Sequence, residues 1–123
     1  MSDPRHMLGQ AAEDAVAAWL DSHGWRVLGT RRRSAGGGEV DIVGIDPQAV
    51  LVAIEVRARR SARAGPAASS VDQARVRRIR RTLAAFAATT PVPHRGLRVD
   101  LVTVEPESGH PGRWRLSRIP GVE

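Results

Sequence analysis

At 123 residues, with 41% apolar and 26% charged side chains, the chain is sized for one hydrophobic core, which excludes both a second domain and a disordered polymer. The absence of cysteine rules out disulfides and thiolate zinc sites, and neither a signal-peptide-like apolar run nor about 18 consecutive apolar residues is found, so no membrane partner and a reducing, cytoplasmic setting are expected. The net charge of +6 rests on nineteen arginines with no lysine, which fits a polyanionic partner, nucleic acid first, or a codon bias toward Arg, Ala, Gly and Val.

From about residue 5 to 22, apolar residues come in pairs four apart: Met7-Leu8, Ala11-Ala12, Ala15-Val16 and Trp19-Leu20. This spacing predicts one buried face of an amphipathic helix, with Pro4 in its first turn and Gly24 as its stop. Trp25 to Thr30 then reads as a strand running into Arg31, Arg32 and Arg33, and Ser34 to Gly38 as a loop. Strands are predicted near 39–45 and 50–58, joined through Asp46-Pro47-Gln48, where proline presets φ for a turn. Residues 59–70 hold too little apolar material to pack and read as a loop. A second helix is expected from Val71 to about Ala88, with Val76, Ile79, Leu83 and Phe86 on one side and Arg75, Arg77, Arg78, Arg80 and Arg81 over the rest. Pro91 and Pro93 end it. Leu97–Val104 and Arg113–Ile119 complete an α-β-β-β-α-β-β order, with a turn through 105–112.

The central hairpin carries the chemistry. Side chains alternate faces along a strand. The even positions Val40, Ile42, Val50, Val52, Ile54 and Val56 are all apolar. Among the odd positions, Val43, Ile45, Leu51 and Ala53 near the turn are apolar, whereas Glu39, Asp41, Glu55 and Arg57 at the open end are charged. A hairpin centred near Gln48 sets Asp41 opposite Glu55 and Glu39 opposite Arg57, with Cβ atoms roughly 5 Å apart. Two carboxylates that close destabilise each other unless a proton or a cation intervenes. Arg57 can neutralise one of them, and a divalent ion such as Mg²⁺ can bridge Asp41 and Glu55 through hard oxygen ligands. Glu13, at the border of the first helix's apolar face, is a third acid able to reach the same end of the sheet. The same charges also fit a solvated strand end with ordinary ion pairs.

An acid on the first helix, Gly38-Glu39-Val40-Asp41 on a strand and Glu55-Val56-Arg57 on its partner, together with Trp19-Leu20, Gly24-Trp25-Arg26-Val27-Leu28 and Arg31-Arg32-Arg33, resemble the YraN-like uncharacterised protein family of the PD-(D/E)XK nuclease superfamily. The resemblance runs from Gly9 to about residue 88. It implies an α/β fold with a restriction-endonuclease-like αβββαβ core, a mixed central sheet flanked by helices, similar to archaeal Holliday-junction resolvases. It further implies a metal-dependent endonuclease acting on DNA, with Asp41 and Glu55 as ligands of Mg²⁺ or Mn²⁺ and Glu13 as an auxiliary acid. Gln73 falls where some relatives carry a polar residue near the site. Two positions depart from the family pattern: Ala12 stands where a glycine usually precedes the helix acid, and Arg57 stands in place of the motif lysine. A guanidinium stays protonated, so Arg57 is no general base, but it can stabilise charge on a phosphate.

Arg31, Arg32, Arg33, Arg59, Arg60, Arg63, Arg75 and Arg78 are the expected nucleic-acid contacts, supplying affinity through phosphates without sequence readout. Trp19, Trp25 and Phe86 fit core positions, so duplex or branched DNA read by shape is the expected partner rather than a stacked single strand. A catalytically impaired nucleic-acid-binding module is the alternative that Arg57 raises. A dimer is compatible with the sequence and not required by it.

Overall fold

A computed structural model describes residues 4–34, 38–58, 72–107, 109–110 and 112–123, with side chains described from Gly9 onward. The expected loop at 59–70, the expected helix start at Val71 and the middle of the Ser34–Gly38 loop lie outside these residues. The described elements are α1 (Pro4–Ser22), β1 (Arg26–Arg33), β2 (Glu39–Ile45), β3 (Leu51–Ala58), α2 (Gln73–Thr89), β4 (Leu97–Pro106) and β5 (Trp114–Ile119). The α-β-β-β-α-β-β order expected from the sequence is therefore present, and its first six elements are the αβββαβ core that the resemblance implies.

The strands form one mixed sheet in the order β1-β2-β3-β4-β5. Sequential strands pair antiparallel except β3 and β4, which run parallel and are joined through α2. A parallel pair needs a long crossover, and an amphipathic helix supplies it while covering one sheet face. Each face has its own core. Ala12, Val16 and Leu20 of α1 bury against Ile42, Val52, Ile54, Val102 and Val104. Val76, Ile79 and Leu83 of α2 bury against Val43, Ile45, Leu51, Ala53 and Val99. The two parities of the hairpin thus serve two helices, which is why both read as apolar near the turn.

Local chemistry sets the element ends. Gly24 takes φ 84°, and the N–H groups of His23 and Trp25 both return to the Leu20 carbonyl, closing α1. Asp72 caps α2 by accepting the Ala74 N–H. Asp46 Oδ1 accepts the N–H groups of Gln48 and Val50, bending the chain through Pro47.

Three expectations are corrected. The apolar stripe of α1 is Ala12, Val16 and Leu20, while Ala11 is exposed and Ala15 and Trp19 are half-buried, because only one row spaced four apart can face a sheet squarely. Val40 packs with the α2-side core rather than with Ile42; β2–β3 pairing runs only from Ile45↔Leu51 to Ile42↔Ile54, and beyond that point β2 is paired on its β1 side alone. Phe86 is only half-buried and lines an open apolar cleft of about 380 Å³ together with Arg32, Arg33, Val40 and Val43.

Candidate functional site

Where β2 and β3 stop pairing, a carboxylate stands between them. The β2–β3 ladder ends at Ile42↔Ile54; two residues beyond Ile54, the Val56 N–H donates to Asp41 Oδ2 at 2.8 Å. The Asp41 side chain therefore holds the hairpin's open end apart. Glu55, only 7% exposed, turns toward α2, since its parallel partner Leu101 lies on that face. The two carboxyls come within hydrogen-bond range of each other. Burial, then the charge of Glu55, push the Asp41 pKa up from 3.8 to about 6, although the Val56 N–H and Arg75 oppose this.

Each of the other acids has an arginine. Arg75, in the first turn of α2, donates Nε–H to Glu55 Oε1 at 2.8 Å. Arg57 Nε is 3.9 Å from the same oxygen, too far for a hydrogen bond, and is buried with no hydrogen-bond partner among the described residues. Arg31 donates to Glu13 Oε2 at 2.7 Å. It does so from φ 51°, a left-handed conformation that costs a non-glycine residue about 1 kcal/mol. Burial, partly offset by that hydrogen bond and reinforced by the charge of Asp41, raises the Glu13 pKa. Glu39 pairs with Arg33 at 3.6 Å rather than with Arg57, because the ladder that would have set them opposite each other ends at Ile42.

A cleft of about 340 Å³ opens beside Asp41, lined by Gly38, Glu39, Asp41, Arg75, Arg78, Ile79 and Thr82. Gly38 lies so close to α2 that a Cβ there would overlap the Thr82 side chain. The acids expected from the sequence thus gather at one end of the sheet: Asp41 and Glu55 in contact, Glu13 within electrostatic range of Asp41, and Glu39 on the cleft wall. Arg75 and Arg78 line the cleft, Arg32 and Arg33 line the neighbouring apolar one, and Arg59, Arg60 and Arg63 lie outside the described residues. Gln73 points elsewhere, into a depression with Arg77, Arg80 and Glu123. Sequence reasoning missed that Asp72, not Gln73, borders Glu55 and Arg57, and that Arg75 holds an acid; an acidic cap followed three residues later by arginine was the available signal.

As a donor set, paired carboxylates that repel each other fit a hard divalent cation whose remaining positions are filled by water. Among the described residues no group of three His, Cys, Asp or Glu side chains could enclose a metal, so the fit is to a two-carboxylate site and not to a closed cage.

A mixed sheet between two helices, with acids at the split end of its central hairpin, defines an α/β protein with a nuclease-like core. The profile of the uncharacterised protein family UPF0102 matches residues 12–104, which include every one of these acids, and the chain belongs to that family. UPF0102 proteins from Bifidobacterium longum subsp. infantis (33% identical, 84% of each chain), Symbiobacterium thermophilum (35%, 91% of this chain and 92% of the relative) and Mycolicibacterium vanbaalenii (35%, 99% and 95%) are similar to it. Each is named for the family alone. No helix among the described residues is long and apolar enough to cross a membrane.

Proposed function

We propose that this protein is a metal-dependent endonuclease acting on DNA phosphodiesters, with duplex, branched or damaged DNA as its substrate class. The carrying observation is the Asp41–Glu55 pair, two interacting acids of which one is pushed to about 6, beside a cleft lined by Asp41 itself and walled by Arg75 and Arg78. Burial without a compensating cation is costly, and a divalent ion relieves it. Asp41 and Glu55 would hold Mg²⁺ or Mn²⁺, which when bound activates water and neutralises charge on the phosphate. Asp41 is fixed for this by the Val56 N–H, and Glu13 by Arg31. Arg75 and Arg78 bind phosphate oxygens on the cleft wall. Arg57, with its spare Nε–H, supplies positive charge but no base, so proton removal from the attacking water falls to a carboxylate or to bulk water. Affinity carried by arginine–phosphate contacts is salt-sensitive.

Incubation of the purified protein with labelled duplex, single-stranded and four-way-junction DNA in Mn²⁺ tests the proposal. Cleavage that Asp41→Ala abolishes is expected; products no different from those of Asp41→Ala sink it. The second reading, a DNA-binding module that has lost chemistry, is favoured by one observation: Glu55 is held by Arg75 and Arg57 is no general base. It predicts salt-sensitive DNA binding that survives Asp41→Ala without turnover, and cleavage gained by Arg57→Lys.

A further inference from the structure

Arg75 meets Glu55 side-on. Its Nε–H is spent on Oε1 at 2.8 Å, while its terminal amino groups make no hydrogen bond to any described residue, and the side chain remains 48% exposed on the wall of the cleft. One guanidinium therefore touches both the acid that would hold a cation and the space where a phosphate would lie. Arg78, one turn further along α2, lines the same cleft but forms no ion pair with a described residue.

A carboxylate's charge is shared among the cations around it. A divalent ion on Glu55 takes most of that charge, weakens the hold on Arg75, and places two cations in one partly buried site. An anion beside Arg75 relieves the repulsion, and a guanidinium released from Glu55 offers its whole fork to a phosphodiester. In the absence of a metal the same arginine competes for Glu55. Arg31, by contrast, holds Glu13 through a terminal amino group at 2.7 Å and does not line this cleft.

We infer that Arg75 is an exchangeable latch: it occupies Glu55 in the metal-free protein and passes to a DNA phosphate when a divalent cation binds, so that cation and DNA bind cooperatively. The inference rests on the metal-dependent reading above and adds to it a specific coupling residue. Coupling of this kind is reciprocal, so it can be read from either ligand.

Mn²⁺ binding is measured by calorimetry for wild type, Arg75→Gln and Arg78→Gln, with and without a nuclease-resistant phosphorothioate duplex. Without DNA, Arg75→Gln should bind Mn²⁺ about tenfold more tightly than wild type, and DNA should raise the wild-type affinity about tenfold while changing that of Arg75→Gln less than about threefold. Arg78→Gln removes the same charge without touching an acid; it should weaken DNA binding itself but, at saturating DNA, keep the wild-type gain in Mn²⁺ affinity. Weaker Mn²⁺ binding in Arg75→Gln would mean that the arginine merely positions Glu55, and equal gains in both variants would mean a general charge effect; either overturns the latch alone. Absence of Mn²⁺ binding in every variant overturns the metal reading and the latch with it. Should thermal melting show Arg75→Gln unfolded, Arg75→Lys keeps the charge, loses the Nε contact, and is expected to shift in the same direction by less.

Discussion

The sheet carries two buried charge clusters, and they are built to opposite standards. In one, Asp100, fully buried on β4, receives Arg98 Nε at 2.8 Å and the Gly121 N–H at 3.0 Å on Oδ1, and Arg98 and Arg118 amino groups at 3.1 and 2.9 Å on Oδ2. Arg98 also reaches Asp46 Oδ2 at 2.9 Å, whose other oxygen closes the hairpin turn. Every carboxylate oxygen there has a donor. In the other cluster two acids face each other, Asp41 has a backbone N–H where Asp100 has two guanidinium groups, and Arg57 Nε has no hydrogen-bond partner among the described residues. A saturated network holds the turn, β4, β5 and the chain's last residues in place; an unsaturated one keeps valence for a visitor.

This contrast makes the same kind of substitution act with opposite sign. Asp100→Ala should cost about 3–5 kcal/mol, because it leaves Arg98 and Arg118 facing a buried gap; urea denaturation measures it, and a loss below 1 kcal/mol would show that the network is not what anchors the last residues. Asp41→Asn should instead stabilise the metal-free protein at pH 7, by an amount approaching about 3 kcal/mol, the free energy of lifting an aspartate from 3.8 to about 6. Mn²⁺ should stabilise wild type and not the variant.

The pH dependence separates the clusters further. Between roughly pH 4 and 6 the folded protein holds a proton on Asp41 that the unfolded chain has released, so this group's contribution to stability is fully present below the ordinary aspartate range and declines as pH rises to about 6. Asp46 works the other way. Burial raises its pKa, but the Val50 N–H, Arg98 and the Gln48 N–H together lower it below the ordinary value, so its contribution is present above the usual aspartate range and is lost on acidification. Denaturation midpoints of wild type minus Asp41→Asn, followed from pH 4 to 7, should fall with rising pH; a flat difference would contradict the burial argument.

Smaller effects test the cleft. Gly38→Ala should destabilise by about 1–3 kcal/mol, since the added methyl meets Thr82 on a packed helix. Arg78→Gln should flatten the slope of log affinity for duplex DNA against log salt by about 1, whereas substitution of Arg98, engaged inside the network, should leave that slope alone.

The sequence made the first of these clusters hard to see and the second easy. Asp41 and Glu55 were legible because they break an otherwise apolar alternation in one short hairpin, whose register follows from a turn of three residues. The helices and strands were legible for the same local reason, to within a residue or two at most ends. Asp100 is one polar position in the predicted strand Leu97–Val104, and nothing near it tells that Asp46, Arg98, Arg118 and Gly121 surround it, since these meet only when β4 lies between β3 and β5. Arg75 was legible as a cation but not as the partner of Glu55, which depends on where the crossover sets the first turn of α2. Arg31 read as one of three basic residues, whereas its left-handed φ turns it alone toward Glu13.

The bond from the Val56 N–H to Asp41 also gives the molecule a spectroscopic handle. Because a main-chain proton rests on the very oxygen whose ionisation is in question, the Val56 amide resonance should migrate as Asp41 titrates near pH 6. It should move again when Mg²⁺ is added. One backbone signal would thus report both events without any label on the side chains.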